Sequence, residues 1–181
     1  ALSHSLEAIW NKNANNTSTD FAISAICSIL RNVEELKQNP FDLSIRNKLL
    51  NASTVSGLAF SNTTTAAAHS ISYPLTINYG IPHGVASSIG LIPLLEINGE
   101  FIKDPLNRIC KNLELTYDKL KQLIKTIPQG VIPYTLDAWG IPEDQLPKLA
   151  DESFTKGRMN NNIVDLKTDD VLMILKELYS D

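Results

Sequence analysis

Two of the three histidines in this 181-residue chain bracket a single segment, Ala66 to Gly84, and that segment constrains the fold more than any other. A stretch of small residues, Ser61 to Ala68, precedes His69 and permits close backbone approach. Pro74 and Gly80-Ile81-Pro82 then punctuate the chain before His83. Glycine commonly closes a helix in the left-handed conformation, and proline is accepted at a helix start because its missing N–H is not needed there. The spacing therefore predicts a helix carrying His69, a turn near Gly80, and a second helix opening around Pro82 with His83 in its first turn. Two imidazoles on adjoining helix ends can face one point, the arrangement a transition-metal ion requires. The competing reading is that each is an ordinary hydrogen-bonded histidine, since motif matches carry false positives.

Helical spacing runs through the rest of the chain. Leu2, Leu6, Ile9 and Trp10 share one face of an opening helix that also carries the third histidine, His4. Asn11 to Asn16 reads as a loop, with Thr17, Ser18 or Thr19 capping a second helix and Asp20 in its first turn. That helix shows the stripe Phe21, Ile23, Ala25, Ile26, Ile29, Leu30, Val33 and Leu36, and ends at Asn39-Pro40. Asp42 opens a third helix, expected to reach Ala59-Phe60. The helix from Pro82 is apolar nearly all round (Val85, Ala86, Ile89, Leu91, Ile92, Leu94, Leu95) and is expected to form the core. Beyond Asn98-Gly99 come amphipathic helices over Pro105–Leu113, Tyr117–Ile127, Leu146–Phe154 and Val171–Tyr179, the last capped by Thr168-Asp169-Asp170. Convincing period-2 alternation is absent, Val131 to Tyr134 being the nearest candidate strand. The expected class is all-α, one helical bundle over residues 1–181.

Composition narrows the partners. A net charge of -4 with no basic stripe argues against nucleic acid. No uninterrupted apolar run reaches the roughly 18–20 residues of a membrane span, and no secretory leader is evident, so the expected location is the cytoplasm. Cys27 and Cys110 read as isolated, buried thiols. The chain opens inside a helix and without Met, which suggests a piece of a longer polypeptide.

Four motifs stand in order. They are Ala1-Leu2-Ser3-His4-Ser5-Leu6-Glu7, Gly57-Leu58-Ala59-Phe60-Ser61-Asn62, His69, and Pro82-His83-Gly84-Val85-Ala86, with thirteen residues between the last two histidines. Together they resemble the iron-containing (group III) alcohol dehydrogenases over nearly the whole chain. The resemblance implies a two-domain enzyme, with an N-terminal dinucleotide-binding domain holding NAD(P) and a helical C-terminal domain holding a divalent metal. This chain would be the second of these, consistent with its lack of a Gly-rich phosphate turn. His4, His69 and His83 match the family's three histidine ligands, and the fourth ligand, an Asp, would directly precede Ala1. Fe2+ is the expected metal, with Zn2+ possible, acting as a Lewis acid on the oxygen of a small alcohol or aldehyde.

Phe60 matches an aromatic that walls the family's pocket, with simple core packing as the alternative. Tyr73 stands where many members carry a further histidine near nicotinamide and substrate. A phenol donates a hydrogen bond but carries protons poorly near neutral pH, so a relay there is in question, and packing beside Pro74 is the other reading. Within the family the opening segment is most similar to phosphonoacetaldehyde reductases (hydroxyethylphosphonate dehydrogenases). A phosphonate needs cationic donors, for which Lys12, Lys156 and Arg158 are the candidates, set against the ordinary solubilising role of such residues. A zinc-dependent glycerol dehydrogenase type and a non-catalytic helical domain are the rival readings. A domain parted from its neighbour exposes an apolar face, so self-association into a homo-oligomer is expected.

Overall fold

Helix α1 (Leu2–Ile9) is buried on almost every side, although it carries Ser3, Ser5 and Glu7 as well as Leu6, Ala8 and Ile9. In the computed structural model, which describes residues 1–180, it packs between two long helices, α2 (Asn16–Gln38) and α3 (Leu43–Thr63). The sequence places the α2 cap at Thr17–Thr19, whereas Asn15 performs it. Asn15 Oδ1 accepts from the Ser18 N–H at 3.0 Å, and Ser18 Oγ accepts from the Asn15 N–H at 3.0 Å. This reciprocal pair satisfies two orphan donors at once, which a single hydroxyl further along does not. Asp20 consequently lies beyond the first turn and pairs across the surface with Arg108. Asp42 caps α3 as expected, accepting from Ile45 N–H at 3.0 Å.

The junction after α3 is strained. Thr64 has φ 63° and ψ −176°, a region almost reserved for glycine. Polar contacts surround it: its carbonyl accepts from Asn11 Nδ2 at 3.3 Å, and its hydroxyl accepts from Asn161 Nδ2 at 2.9 Å. The turn delivers the chain into α4 (Ala67–Tyr79), which carries His69, contains Pro74 and ends at Gly80 with φ 67°.

The apolar helix predicted from Pro82 is two helices, α5 (His83–Ile89) and α6 (Leu91–Asn98), parted at Gly90. Pro93 explains the break. In a continuous helix it would deny the Ile89 carbonyl a donor, whereas in α6 it occupies the first turn, where no donor is required. Leu91, Leu94 and Leu95 are buried, so α6 is the core element the sequence predicts. A 3-10 turn over Gly99–Ile102 leads into α7 (Lys103–Leu113), which starts two residues before the expected Pro105. By length and apolar content, His83–Leu113 has the measure of a membrane-crossing helix. Its kink at Gly90, and the burial of Ile89, Leu94, Leu95, Ile102 and Ile109 in the protein's own core, account for that content.

Helix α8 (Tyr117–Thr126) is capped by Thr116. Val131 to Tyr134 forms turns rather than a strand. After α9 (Leu146–Glu152) comes the Asn-rich loop, whose Asn162 exchanges amide hydrogen bonds with buried Asn98 at 2.9 and 3.2 Å. The final helix, α10 (Thr168–Glu177), begins at Thr168, three residues before the expected Val171. Asp170 reaches back to accept from Lys167 N–H at 2.8 Å. The described residues contain no strand, only an isolated bridge between Asn11 and Asn162. Cys27 and Cys110 are both free, as read from the sequence, but only Cys27 is buried as expected, Cys110 being partly exposed.

Candidate metal centre

Four helices converge on the histidines. His4 comes from α1, Phe60 from α3, His69 and Tyr73 from one face of α4, and His83 from the first turn of α5. The His4 and His69 ring centroids are 4.6 Å apart and those of His69 and His83 5.2 Å. Phe60 stacks on His4 at 4.2 Å, walling the group on the α3 side, and Tyr73 lies nearly parallel to His83 at 6.3 Å. The three histidines therefore meet, although 64 and 13 residues separate consecutive members of the set along the chain. They grade outward: His69 is buried, His4 half-buried and His83 exposed.

Behind His69 lies Glu7, a carboxylate with no solvent exposure. Its Oε2 is hydrogen-bonded to His69 Nδ1, and its Oε1 accepts from the backbone N–H groups of Ala66 (3.1 Å) and His69 (3.0 Å). A buried carboxylate is costly without such partners. Helix α4 has no side-chain cap of its own, so Glu7 serves as that cap from another helix. In the sequence Glu7 is visible only as a motif position. The signal that could have singled it out is an acidic residue in a helix whose other faces are apolar or small.

The electrostatics favour neutral imidazoles at the two outer positions. Burial, reinforced by neighbouring His69, pushes His4 down to about 4. Burial and His69 also lower His83, with Glu7 opposing them. Neutral imidazole is the form that ligates a metal.

Do these residues suit an ion? A ligating nitrogen lies about 2.0–2.1 Å from Zn(II), which puts two ring centroids on one ion roughly 4.5–5.2 Å apart for right-angled to tetrahedral arrangements. The observed spacings match that range. The ring orientations are not closed around a point. His4 and His69 are nearly parallel at 14°, and among the described residues no group of three or more His, Cys, Asp or Glu side chains is arranged to hold a metal ion. Three imidazoles suit such an ion in kind, and the two ring separations suit it in spacing, whereas binding one needs ring rotation plus a further ligand or ligands. Glu7 holding Nδ1 leaves Nε2 of His69 as the nitrogen facing the group, the usual relation between a ligating histidine and a supporting carboxylate.

The three cationic candidates separate. Arg158 Nε approaches the Tyr73 hydroxyl at 3.4 Å, which brings it to the edge of the histidine group. The loop that carries it is tied to α4, since Ser70 Oγ donates to the Ser153 carbonyl and accepts from Thr155 N–H at 3.1 Å. Lys12 pairs with Asp165 and donates to the Asn160 carbonyl, so its charge is already matched. Lys156 is exposed and lines a surface hollow with Phe154, Met159 and Leu166. The hollow between α6, α7 and α8, lined by Glu96, Cys110, Tyr117 and Lys121, includes none of the histidine group. Its two lysines, Lys121 and Lys103, are already paired with Glu96 and Glu100.

Comparison with known proteins places this geometry. The family described as Fe-containing alcohol dehydrogenase, C-terminal, matches residues 1–179. Long-chain-alcohol dehydrogenase 1 of Geobacillus thermodenitrificans is 30% identical over 170 residues, covering 88% of this chain and 43% of that protein. The crystal structure of sulfoacetaldehyde reductase from Bifidobacterium kashiwanohense, in complex with NAD+, superposes with a TM-score of 0.85 at 26% identity, covering 99% of this chain and 48% of that one. A 1,3-propanediol oxidoreductase shares the fold at a TM-score of 0.89 and 24% identity, over 98% of this chain and 49% of its own. The chain thus spans about half the length of the proteins it matches.

Proposed function

The chain belongs to the Fe-containing alcohol dehydrogenase family, matching its C-terminal part, and from that premise we propose that it is the metal-binding half of an NAD(P)-dependent alcohol dehydrogenase or aldehyde reductase. The observation that carries the reading is the meeting of His4, His69 and His83 from three helices, with Glu7 bonded behind His69. A divalent ion held by these imidazoles, Fe(II) with Zn(II) as the alternative, supplies Lewis-acid polarisation of the substrate oxygen. NAD(P), held mainly by a partner domain of the longer protein, supplies or receives the hydride. Phe60 covers one face of His4 and limits water there. Tyr73 offers a hydroxyl beside His83, suited to orienting a substrate oxygen rather than relaying protons at neutral pH.

The proposed substrate is a small aldehyde bearing a compact anion, phosphonoacetaldehyde being reduced to 2-hydroxyethylphosphonate. Arg158 supports this, since it puts a guanidinium within reach of Tyr73 at the open edge of the site, and guanidinium is the group best matched to a tetrahedral oxyanion. The similarity to sulfoacetaldehyde reductase supports the same class, its substrate by name also joining an aldehyde to a tetrahedral acid. Self-association is proposed as well, supported by the exposed Phe41, Leu43 and Leu50. A clean monomer in light scattering at high concentration would count against it.

The test is metal content and turnover of the full-length protein. About one ion per chain, lost with His69→Ala or His83→Ala, is the expected result, with the 181-residue chain inactive by itself. Arg158→Ala should raise KM for the anionic aldehyde at least about tenfold, as loss of a charge-assisted hydrogen bond of about 1.5–3 kcal/mol requires, and leave an uncharged short aldehyde unaffected. A metal-free wild type indifferent to both histidine substitutions overturns the metal reading. Equal losses for charged and uncharged aldehydes overturn the anionic substrate.

A further inference from the structure

We infer that Glu7 is a positioning residue that uses its two oxygens for separate tasks, one holding the start of α4 and the other fixing which nitrogen of His69 faces the metal site. The inference deepens the metal-centre reading and rests on it for its consequence, but its geometry stands independently.

Oε1 receives two backbone N–H groups, those of Ala66 and His69, at 3.1 and 3.0 Å. Both are first-turn donors with no partner inside the helix, and the helix start supplies no side-chain cap. The chain reaches this point through Thr64, whose left-handed φ turns it sharply out of α3. The cap therefore comes from α1, 59 residues away for Ala66 and 62 for His69. Oε2 is left to face His69 Nδ1. With Oε1 engaged by two donors, Oε2 is the oxygen left to accept from Nδ1, and on this reading the Nε2 lone pair is turned away from Glu7. With both partners buried, no solvent competes for either bond. One side chain thus couples the seating of α4 to the tautomer of its histidine.

This division of labour singles out one substitution. In Glu7→Gln the position of Oε1 must still accept from two N–H groups, so the amide oxygen occupies it. The amide NH2 is then directed at His69 Nδ1 and donates. His69 can accept there only as the other tautomer, with hydrogen on Nε2, where the metal would bind. A purely structural Glu7 predicts nothing of the kind, because glutamine preserves both the shape and the α4 cap.

The experiment compares wild type and Glu7→Gln in the full-length protein, metal-free, with 15N-labelled histidine. Spectra are recorded at alkaline pH, and the His69 signals are assigned by their loss in His69→Ala. Zn(II) affinity is measured in parallel by competition with a chromophoric chelator, and folding by urea titration. The expected result is an Nδ1–H tautomer in wild type and an Nε2–H tautomer in Glu7→Gln, with Zn(II) affinity lowered about 10–100-fold and the urea midpoint nearly unchanged. The same tautomer in both proteins overturns the inference, as does equal Zn(II) affinity. Should wild type bind no Zn(II), the metal-centre reading fails by itself and the tautomer comparison alone decides the role of Glu7.

Discussion

The end of the molecule built from α1, α4 and α5 and the outer helices α7, α8 and α10 place their polar groups in opposite ways. In the outer helices, Leu106, Ile109, Leu120, Ile124, Val171 and Leu175 point inward, while charged pairs such as Lys121–Glu96 and Lys103–Glu100 remain at the surface. At the histidine end, Ser3, Glu7, His69, Ser70, Ser72 and Ser87 are all buried. Most of these have specific bonds: Ser3 Oγ donates to the Ser87 carbonyl at 2.7 Å, Ser72 Oγ to the His69 carbonyl at 2.7 Å, and Ser70 Oγ to the Ser153 carbonyl. The first arrangement needs only amphipathic spacing. In the second, a buried polar atom without a partner costs about 1–3 kcal/mol, and most but not all are bonded, Ser5 Oγ on α1 and Thr76 Oγ1 on α4 having none. What distinguishes the histidine end from the outer helices is polar burial rather than hydrophobicity.

The comparison breaks most readily at Glu7. Replacing Glu7 with alanine strands the His69 imidazole and two backbone donors in the interior, and should cost about 3–5 kcal/mol, as broken buried pairs do. Urea denaturation measures it, and a loss below about 1 kcal/mol would show that polar burial at this end is not held by its bonds. Tyr134 offers an intermediate case, since its hydroxyl donates to the Ser88 carbonyl and so ties the turn region to α5. Tyr134→Phe should cost about 1–3 kcal/mol for the abandoned carbonyl. Burial raises the Tyr134 phenol above its ordinary value of 10. A raised folded-state value means that the unfolded chain releases this proton first. Its contribution is therefore complete below pH 10 and lost as pH rises beyond it. Alkaline unfolding followed by phenolate absorbance should shift to higher pH in Tyr134→Phe relative to its own neutral stability; an unchanged alkaline limb would place the phenol in solvent.

The sequence discloses local features and conceals the long-range ones. Asp42, Gly80 and the start of α5 are legible because caps and turns are decided by residues a few positions apart. The α2 cap is misplaced by two to four residues because Asn15, Asn16, Thr17, Ser18 and Thr19 can all cap, and only the reciprocal Asn15–Ser18 bonds choose among them. The break at Gly90 follows from Pro93, a cause that is visible in the sequence but outweighed by the apolar run around it. His4, His69 and His83 are legible as a set through motif order. Glu7 against His69 and Arg158 against Tyr73 are not, since 62 and 85 residues separate them and no periodicity encodes such pairings.

Smaller effects sharpen the other side of the comparison. Asn15→Ala removes one half of the reciprocal cap and should cost about 1 kcal/mol, the usual range for such caps. Glu35→Ala, exposed at the far end of the same helix, serves as the control.

Smallest of all should be the pair between Lys121 and Glu96, which joins α8 to α6 at 3.0 Å while leaving both side chains partly in water. Solvent already screens these charges, and holding two long side chains in one geometry costs entropy. A double-mutant cycle over Lys121→Ala and Glu96→Ala is expected to return a coupling of about 0.2–1 kcal/mol that shrinks with added salt. Lys121 also lies 5.2 Å from the centroid of the Tyr117 ring, so its single substitution should cost more than that of Glu96 by the cation–π contribution of about 0.5–1 kcal/mol. The cycle separates the two, because the ring contact survives in Glu96→Ala and cancels from the coupling term. A salt-insensitive coupling approaching the Glu7 loss would mean that the outer helices, too, are held by their polar groups, and the contrast between the two regions would be lost.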